Sequence, residues 1–236
     1  MRADQQEMVD AVLGAYRSGC FPMAEGRDAA ERGLPVRWIR PDRRGVIPIE
    51  PGILGLDGGW RVPRRLARTV RRGPFLVTSD RAFSEVVSAC AAPRRESESS
   101  SEQTWIDARI EGVFGLLHDM GRAHSVEAWL EDAGGGLRLV GGVYGLAVGR
   151  VFCAESMFSR PELGGTDASK VSLVHLVEHC KRRGFTLIDT QFVNPHIEQF
   201  GVVEVDGADY VRYVEAVGGD ELGWEPFEGS RPVERS

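Results

Sequence analysis

The sequence predicts an α+β fold. Two observations carry that expectation. Apolar residues recur at helical spacing near the start, and the second half of the chain alternates strand-like apolar runs with helix-like stretches. The chain shows no internal repeat, and no apolar run approaches the length of a membrane span.

The elements follow in order. Met8, Val9, Val12, Leu13 and Tyr16 form one stripe, which predicts a helix over residues 4–18. Residues 19–63 are rich in Gly, Pro and charge and read as a loop, broken only by a short apolar piece at 36–39. Residues 75–78 read as a short strand. Ser79 or Asp80 is placed to cap a helix reaching about Ala92. The polar run from Pro93 to Gln103 can bury nothing and is expected to be a mobile loop. Asp107 caps the next helix, with Ile110, Val113, Phe114 and Leu117 inward. Strands are expected at 123–130, 137–148 and 150–158. A helix at 167–183 is stopped by Gly184, and a strand at 185–193 and a helix at 209–217 follow. The tail after Glu225 is expected to fray.

Composition narrows the function. The 236 residues suit one large domain, or one domain with a small appendage, and 42% apolar content allows a sizeable core. The polar N-terminus lacks a signal peptide's apolar stretch, so a cytoplasmic protein is expected. Cys20, Cys90, Cys153 and Cys180 are scattered, which argues against a zinc ribbon or a disulfide scaffold. The net charge of −6 excludes a protein that coats nucleic acid non-specifically. Nucleic-acid contact would need a local patch. The acid-free run from Trp60 to Arg72 offers one, with Arg61, Arg64, Arg65, Arg68, Arg71 and Arg72. Guanidinium forks match phosphate geometry, although a charge run alone is more often a solvated helix face.

Two acids stand out. Asp189 and Gln191 share one face of an apolar strand, together with Phe185, Leu187 and Val193. Burying such an acid is costly unless it is paired, so Asp189 is either a structural acid or a positioned reactive group. Glu155, pointing with Cys153 and Met157, poses the same question, and two such acids shift the balance toward a site. Other patterns carry less. His175-Leu-Val-Glu-His179 matches an inverted zinc-protease motif but lacks a third ligand, so no metal is expected. His124 points away from Ser125 and Glu127, so no relay forms among them. The glycines of 141–149 fit neither a P-loop nor a dinucleotide fingerprint and suggest a bulge or close backbone approach. Trp105 could stack a base, though a tryptophan is more often core.

The joint pattern is more specific than any one motif. Thr104-Trp-Ile106, Ala123-His-Ser-Val-Glu-Ala-Trp129 and Val140-Gly-Gly-Val-Tyr-Gly145 are followed in order by Phe152-Cys-Ala-Glu-Ser-Met-Phe-Ser159, Ala168-Ser-Lys170 and Leu187-Ile-Asp-Thr-Gln191. This series closely resembles the leucyl/phenylalanyl-tRNA–protein transferase family, over roughly residues 41–201 and more loosely 16–22. The resemblance implies a small N-terminal domain, residues 1–45, on a larger acetyltransferase-type (GNAT-like) domain, residues 46–236. It implies transfer of leucine, phenylalanine or methionine from aminoacyl-tRNA to the N-terminal amine of proteins that begin with Arg or Lys, which marks them for degradation. No cofactor and no membrane are implied, and a monomer is expected.

The resemblance also assigns residues. Asp189 and Gln191 match the family's reaction-centre pair, and Glu155 an acid beside the incoming N-terminus. Trp105 matches an aromatic near the terminal adenosine of the tRNA. Met23 stands where the family's Phe-Pro-Trp motif has tryptophan. Val143, Phe152, Met157, Leu173, Leu176 and Ile188 fall where the family builds its amino-acid pocket, with Val143 in place of a frequent methionine. The six arginines fall where members carry basic residues for the acceptor arm. Asp189 would accept or relay the amine proton, or act electrostatically without proton transfer. The alternatives are an acyl-CoA-dependent N-acyltransferase and a non-catalytic tRNA-binding relative.

Overall fold

The computed structural model describes residues 3–92 and 104–228. The run 93–103, expected to be a loop, lies outside the described residues. The helices are α1 (Ala3–Arg17), α2 (Arg64–Arg72), α3 (Phe83–Ala91), α4 (Ala108–Asp119), α5 (Ala168–Arg183), α6 (Pro195–Glu198) and α7 (Gly207–Val217). The strands are β1 (Phe21–Met23), β2 (Arg37–Ile39), β3 (Arg43–Pro48), β4 (Leu76–Ser79), β5 (Ala123–Glu131), β6 (Leu137–Val148), β7 (Val151–Ser159), β8 (Leu187–Gln191) and β9 (Val203–Asp206). None of the described helices is long and apolar enough to cross a membrane.

A seven-stranded mixed sheet, in the order β4-β5-β6-β7-β8-β3-β9, divides the molecule, and β1 and β2 form a separate ribbon. All pairs are antiparallel except β7 with β8. That parallel pair is joined by α5, as a parallel connection requires a crossover. Each face of the sheet is covered by its own apolar cluster. On one face, Val9, Val12, Leu13 and Tyr16 of α1 pack with Phe83, Val86, Phe114, Tyr144, Cys153, Leu187 and Tyr210. On the other, Leu173, Leu176 and Val177 of α5 pack with Val126, Val143, Phe152, Phe185, Ile188 and Trp224. Segments from the first 45 residues thus reach the first cluster, and β3 lies between β8 and β9 in the main sheet.

Several local expectations are corrected. The stretch 19–63 holds β1, β3 and α2's lead-in rather than loop alone; Gly45 and Pro48 interrupt the strand pattern of β3 enough to hide it. Gly45 is needed there, because a Cβ would come within 2.6 Å of the Phe192 backbone. Neither Ser79 nor Asp80 caps α3, whose N-cap is Ala82 with no side-chain hydrogen bond. Asp80 instead turns its carboxylate to the Ser125 N–H and His124 Nδ1, each at 2.8 Å. The strand expected from 185 begins only at Leu187, and Phe185 packs on the α5 face, away from Asp189. Asp107 does cap α4, accepting from the N–H groups of Arg109 and Ile110.

The glycines of β6 serve the close approaches expected of them. A Cβ on Gly141 would lie 2.5 Å from that of Ala168, at the start of α5. A Cβ on Gly145 would lie 2.2 Å from the Cys153 carbonyl oxygen, where the β6–β7 register slips.

Candidate active site

Two irregularities in neighbouring strands create the site. In β7, Ser156 pairs with Tyr144 and Ala154 with Gly145, so Glu155 is an extra residue in a bulge. The bulge turns Glu155 toward Tyr16, Tyr144 and Cys153 and sends Met157 to the opposite face. This corrects the expectation that Glu155 and Met157 point together. In β3–β8 the register slips between Gly45 and Val46, opposite Thr190. Gln191 then adopts φ +56°, a left-handed conformation that a non-glycine residue holds only under constraint. The β7–β8 pairing ends at Cys153–Asp189, and beyond that pair the two strands are no longer bonded to each other.

Asp189 sits at this fork and is wholly enclosed. Arg44 from β3 grips it with both arms: Nε donates to Oδ1 at 2.8 Å and Nη2 to Oδ2 at 2.6 Å. The Tyr210 hydroxyl of α7 donates to Oδ2 at 2.7 Å, and the Gln191 N–H to Oδ1 at 2.9 Å. Arg44, only 1% exposed, also donates from Nη1 to the Gly19 carbonyl and lies over the rings of Phe21 and Tyr210. Burial works against its charge, but the adjoining Asp189 carboxylate more than offsets this and holds the guanidinium protonated well above its ordinary range. The pair therefore meets the condition for a buried ion pair, namely tight geometry with the remaining lone pairs satisfied.

Glu155 lives in different surroundings. Its Oε1 accepts from Gln191 Nε2 at 3.2 Å, and no cation touches it among the described residues. The Tyr16 hydroxyl lies beside it, but neither Tyr16 nor Tyr144 finishes a hydrogen bond of ordinary geometry, although both are fully buried. Burial pushes the Glu155 carboxyl up to about 8; the Asp189 charge adds to this, while Tyr16 and Arg44 oppose it. Burial likewise raises the Cys153 thiol, so it is an inert packing group.

The other expected residues fall into three groups. Trp105 and Met23 are half-buried and adjacent in the chain path, because the Ala24 N–H donates to the Trp105 carbonyl at 2.9 Å. Val143, Phe152, Leu173, Leu176 and Ile188 are brought together with the half-buried Met157, but as a filled core on the α5 face, across the sheet from Asp189. Arg61, Arg64, Arg65, Arg68, Arg71 and Arg72 are all exposed, along and just before α2, with Leu66 as that helix's buried contact. The motif at His175–His179 is committed elsewhere: Glu178 accepts from Trp60 Nε1, and His179 Nε2 bonds the Trp224 carbonyl. Asp80, His118 and His124 form the tightest His/Asp group among the described residues, knitted into the α4–β5 corner by the Asp80–His124 bond and the His118 Nδ1 contact to the Ala123 carbonyl.

Sequence reasoning missed Arg44 and Tyr210. Arg44 lies in a stretch that reads as a charged loop, and Tyr210 in a late helix with no role assigned. A buried acid at Asp189 did imply a partner, which is the signal that could have prompted a search for them.

Comparison with known proteins agrees with the order of the motifs. Residues 53–215 match the family model described as leucyl/phenylalanyl-tRNA protein transferase. The chain belongs to this family. A leucyl/phenylalanyl-tRNA–protein transferase of Novosphingobium aromaticivorans is 44% identical over 203 residues, 86% of this chain and 68% of that protein. Another, of Rhodopseudomonas palustris, is 42% identical over 226 residues, 96% of this chain and 88% of that one. As a family member the chain is an aminoacyltransferase that uses aminoacyl-tRNA and protein substrates. Among solved structures, FemX superimposes with a TM-score of 0.52 at 12% identity, over 84% of this chain and 66% of that chain. The α+β, GNAT-like fold expected for the transferase family is the one observed.

Proposed function

We propose that this transferase moves leucine, phenylalanine or methionine from aminoacyl-tRNA to the N-terminal amine of proteins beginning with Arg or Lys, acts as a cytoplasmic monomer, and thereby marks those proteins for degradation. The observation that carries this is the grouping of Asp189, Gln191 and Glu155 where β7 and β8 part. An acid beside a left-handed glutamine at a strand fork suits a reaction that needs a positioned amine and a place for its charge.

The donor ester is already activated, so the chemistry needs no nucleotide and no cofactor. The acceptor amine has an ordinary pKa of about 7.7–8.0, so roughly one in ten is neutral at pH 7. Asp189, with every lone pair engaged, acts electrostatically by setting the position of Gln191 and Arg44. Glu155 faces the incoming N-terminus. Trp105 and Met23 contact the terminal adenosine. The donor side chain enters where β7 and β8 part and must shift the half-buried Met157 to reach Val143, Phe152, Leu173, Leu176 and Ile188, which are closed against one another in the free protein. A pocket of this kind separates side chains by only about 1–3 kcal/mol per methylene, which suits a small set of bulky amino acids rather than one. The arginines of α2 hold the acceptor arm, so Arg64→Gln with Arg65→Gln and Arg68→Gln should flatten the salt dependence of tRNA binding by about 0.7–0.9 per lost phosphate contact.

The test is transfer of labelled leucine or phenylalanine from charged tRNA to a peptide beginning with arginine, against the same peptide acetylated. Label on the free peptide alone is expected. Label on neither, from folded protein with both charged tRNAs, would reject the assignment and turn attention to CoA binding by calorimetry.

A further inference from the structure

We propose that Glu155 is the group that takes the proton from the acceptor amine, and that Arg44 keeps Asp189 out of that role. This rests on the transferase chemistry proposed above. The two acids face the same side of the sheet at the same fork, yet they are built for different work.

Asp189 has no vacancy. Its oxygens receive Arg44 Nε, Arg44 Nη2, the Tyr210 hydroxyl and the Gln191 N–H, and it is 0% exposed. Taking up a proton would mean breaking one of these bonds beside a fixed guanidinium. A carboxylate accepts at about four lone-pair positions, and all are filled.

Glu155 has the opposite character. At 9% exposed it is the most open of Arg44, Asp189, Gln191 and itself. Its only side-chain hydrogen bond of ordinary geometry among the described residues comes from Gln191 Nε2, which leaves Oε2 for a substrate. It occupies a bulge, a position commonly used to re-aim a side chain beside an active site. The groups facing it are Tyr16 from α1, Tyr144 from β6, Cys153 from β7, Asp189 from β8 and Arg44 from β3, with Cys90 of α3 and Glu111 of α4 beyond Tyr144. Two unpartnered tyrosine hydroxyls beside one carboxyl supply donors that can steady it when it is charged. Burial sets the carboxyl at about 8, close to the amine it would serve, and matched basicity favours proton transfer.

In the transfer step the acceptor amine, neutral after its ammonium has lost one proton to solvent, forms a C–N bond at the ester carbonyl as Glu155 Oε2 takes a second proton from its nitrogen. The C–O bond to the ribose breaks with its electrons on the ribose oxygen, and Glu155 returns its proton there. The products are the amide, the free ribose hydroxyl and one released proton.

The experiment is the pH profile of kcat for two acceptor peptides whose amines differ in pKa by about a unit, run on the wild type, Glu155→Gln, Glu155→Asp and Asp189→Asn. In the wild type one rising limb should follow the peptide and a second should stay near pH 8 with either peptide. Glu155→Gln should lose the fixed limb and fall in kcat by ~10²–10⁴-fold, the usual worth of general-base help. Glu155→Asp should recover part of both. Asp189→Asn should keep the fixed limb even where its rate falls. A raised KM with unchanged kcat in Glu155→Gln would mean attraction only and overturn the proposal, as would loss of the fixed limb in Asp189→Asn instead. Near-ultraviolet circular dichroism of each variant excludes misfolding as the cause. No transfer by the wild type would reject the transferase chemistry rather than the role of Glu155.

Discussion

The two faces of the sheet are equally buried but differ in kind. On the face toward α1 and α7, Arg44, Asp189, Tyr210, Gln191 and Glu155 form a chain of charged and polar contacts inside an apolar frame. On the face toward α5, Phe152, Leu173, Leu176 and Ile188 pack in an apolar cluster whose titratable members and neighbours, Cys180 and His179, are held toward their uncharged forms by burial. Neighbouring residues of the same two strands serve both, because side chains alternate across a strand: Ile188 and Asp189 are adjacent in sequence and point into different media. The difference teaches that stability on one face is a matter of pairing and on the other a matter of volume. Substitutions on the first should therefore respond to pH, and those on the second should not.

The largest expected effect comes from breaking the pair. Asp189→Asn leaves the Arg44 charge buried and uncompensated and should cost about 3–5 kcal/mol in urea denaturation, while Arg44→Met with Asp189→Leu should recover much of it. A loss under ~1 kcal/mol for the single variant would show that the two faces do not differ in this way. Next, Leu176→Ala should cost about 2–5 kcal/mol through lost burial and the remaining cavity, equally at pH 5 and pH 9. A marked pH dependence of that loss would blur the comparison.

Glu155→Gln sharpens the contrast by sign. The Glu155 carboxyl is raised to about 8 in the folded chain, chiefly by burial, against an ordinary value near 4.5. The folded state thus holds more protons than the unfolded between those values, so wild-type stability falls as pH rises through this window. A glutamine in its place cannot ionise, so the variant should gain on the wild type as pH rises from about 4.5 to 8 and show no gain below it. Equal Tm differences at pH 4 and pH 9 would contradict this. The smallest effect is at a helix end. Asp107 is buried, which alone would raise its carboxyl, but its bonds from Arg109 and Ile110 win and lower it. Asp107→Ala should cost about 0.5–2 kcal/mol at neutral pH, and the wild type should lose that advantage as pH falls through the depressed value.

Much of this was legible before any coordinates. An acid inside Leu187-Ile-Asp-Thr-Gln191 announces a partner, and period-two alternation places Asp189 and Gln191 together. What stayed hidden was distant or irregular. Arg44 lies 145 residues from Asp189, and no local pattern links them. β3 is interrupted by glycine and proline, so its tertiary pairing with β8 and β9 overrode a weak local signal. The bulge at Glu155 reversed the side of Met157, because one extra residue inverts every side chain that follows. The six residues matched to the amino-acid pocket lie on the α5 face, and periodicity alone could not show that the sheet stands between them and Asp189.

The placement of β3 has a consequence for how the protein is made. This strand leaves the ribosome early, yet it fits between β8 and β9, whose residues come from the last quarter of the described chain. With 145 residues between Arg44 and Asp189, synthesis at about 5–20 residues per second separates the two charges by roughly 7–30 s. Throughout that interval the nascent chain carries an arginine destined for a dry interior, with water as its only partner. The β8-β3-β9 end of the sheet is consequently the last part to close, and the reactive fork comes into being only after β8 has been made.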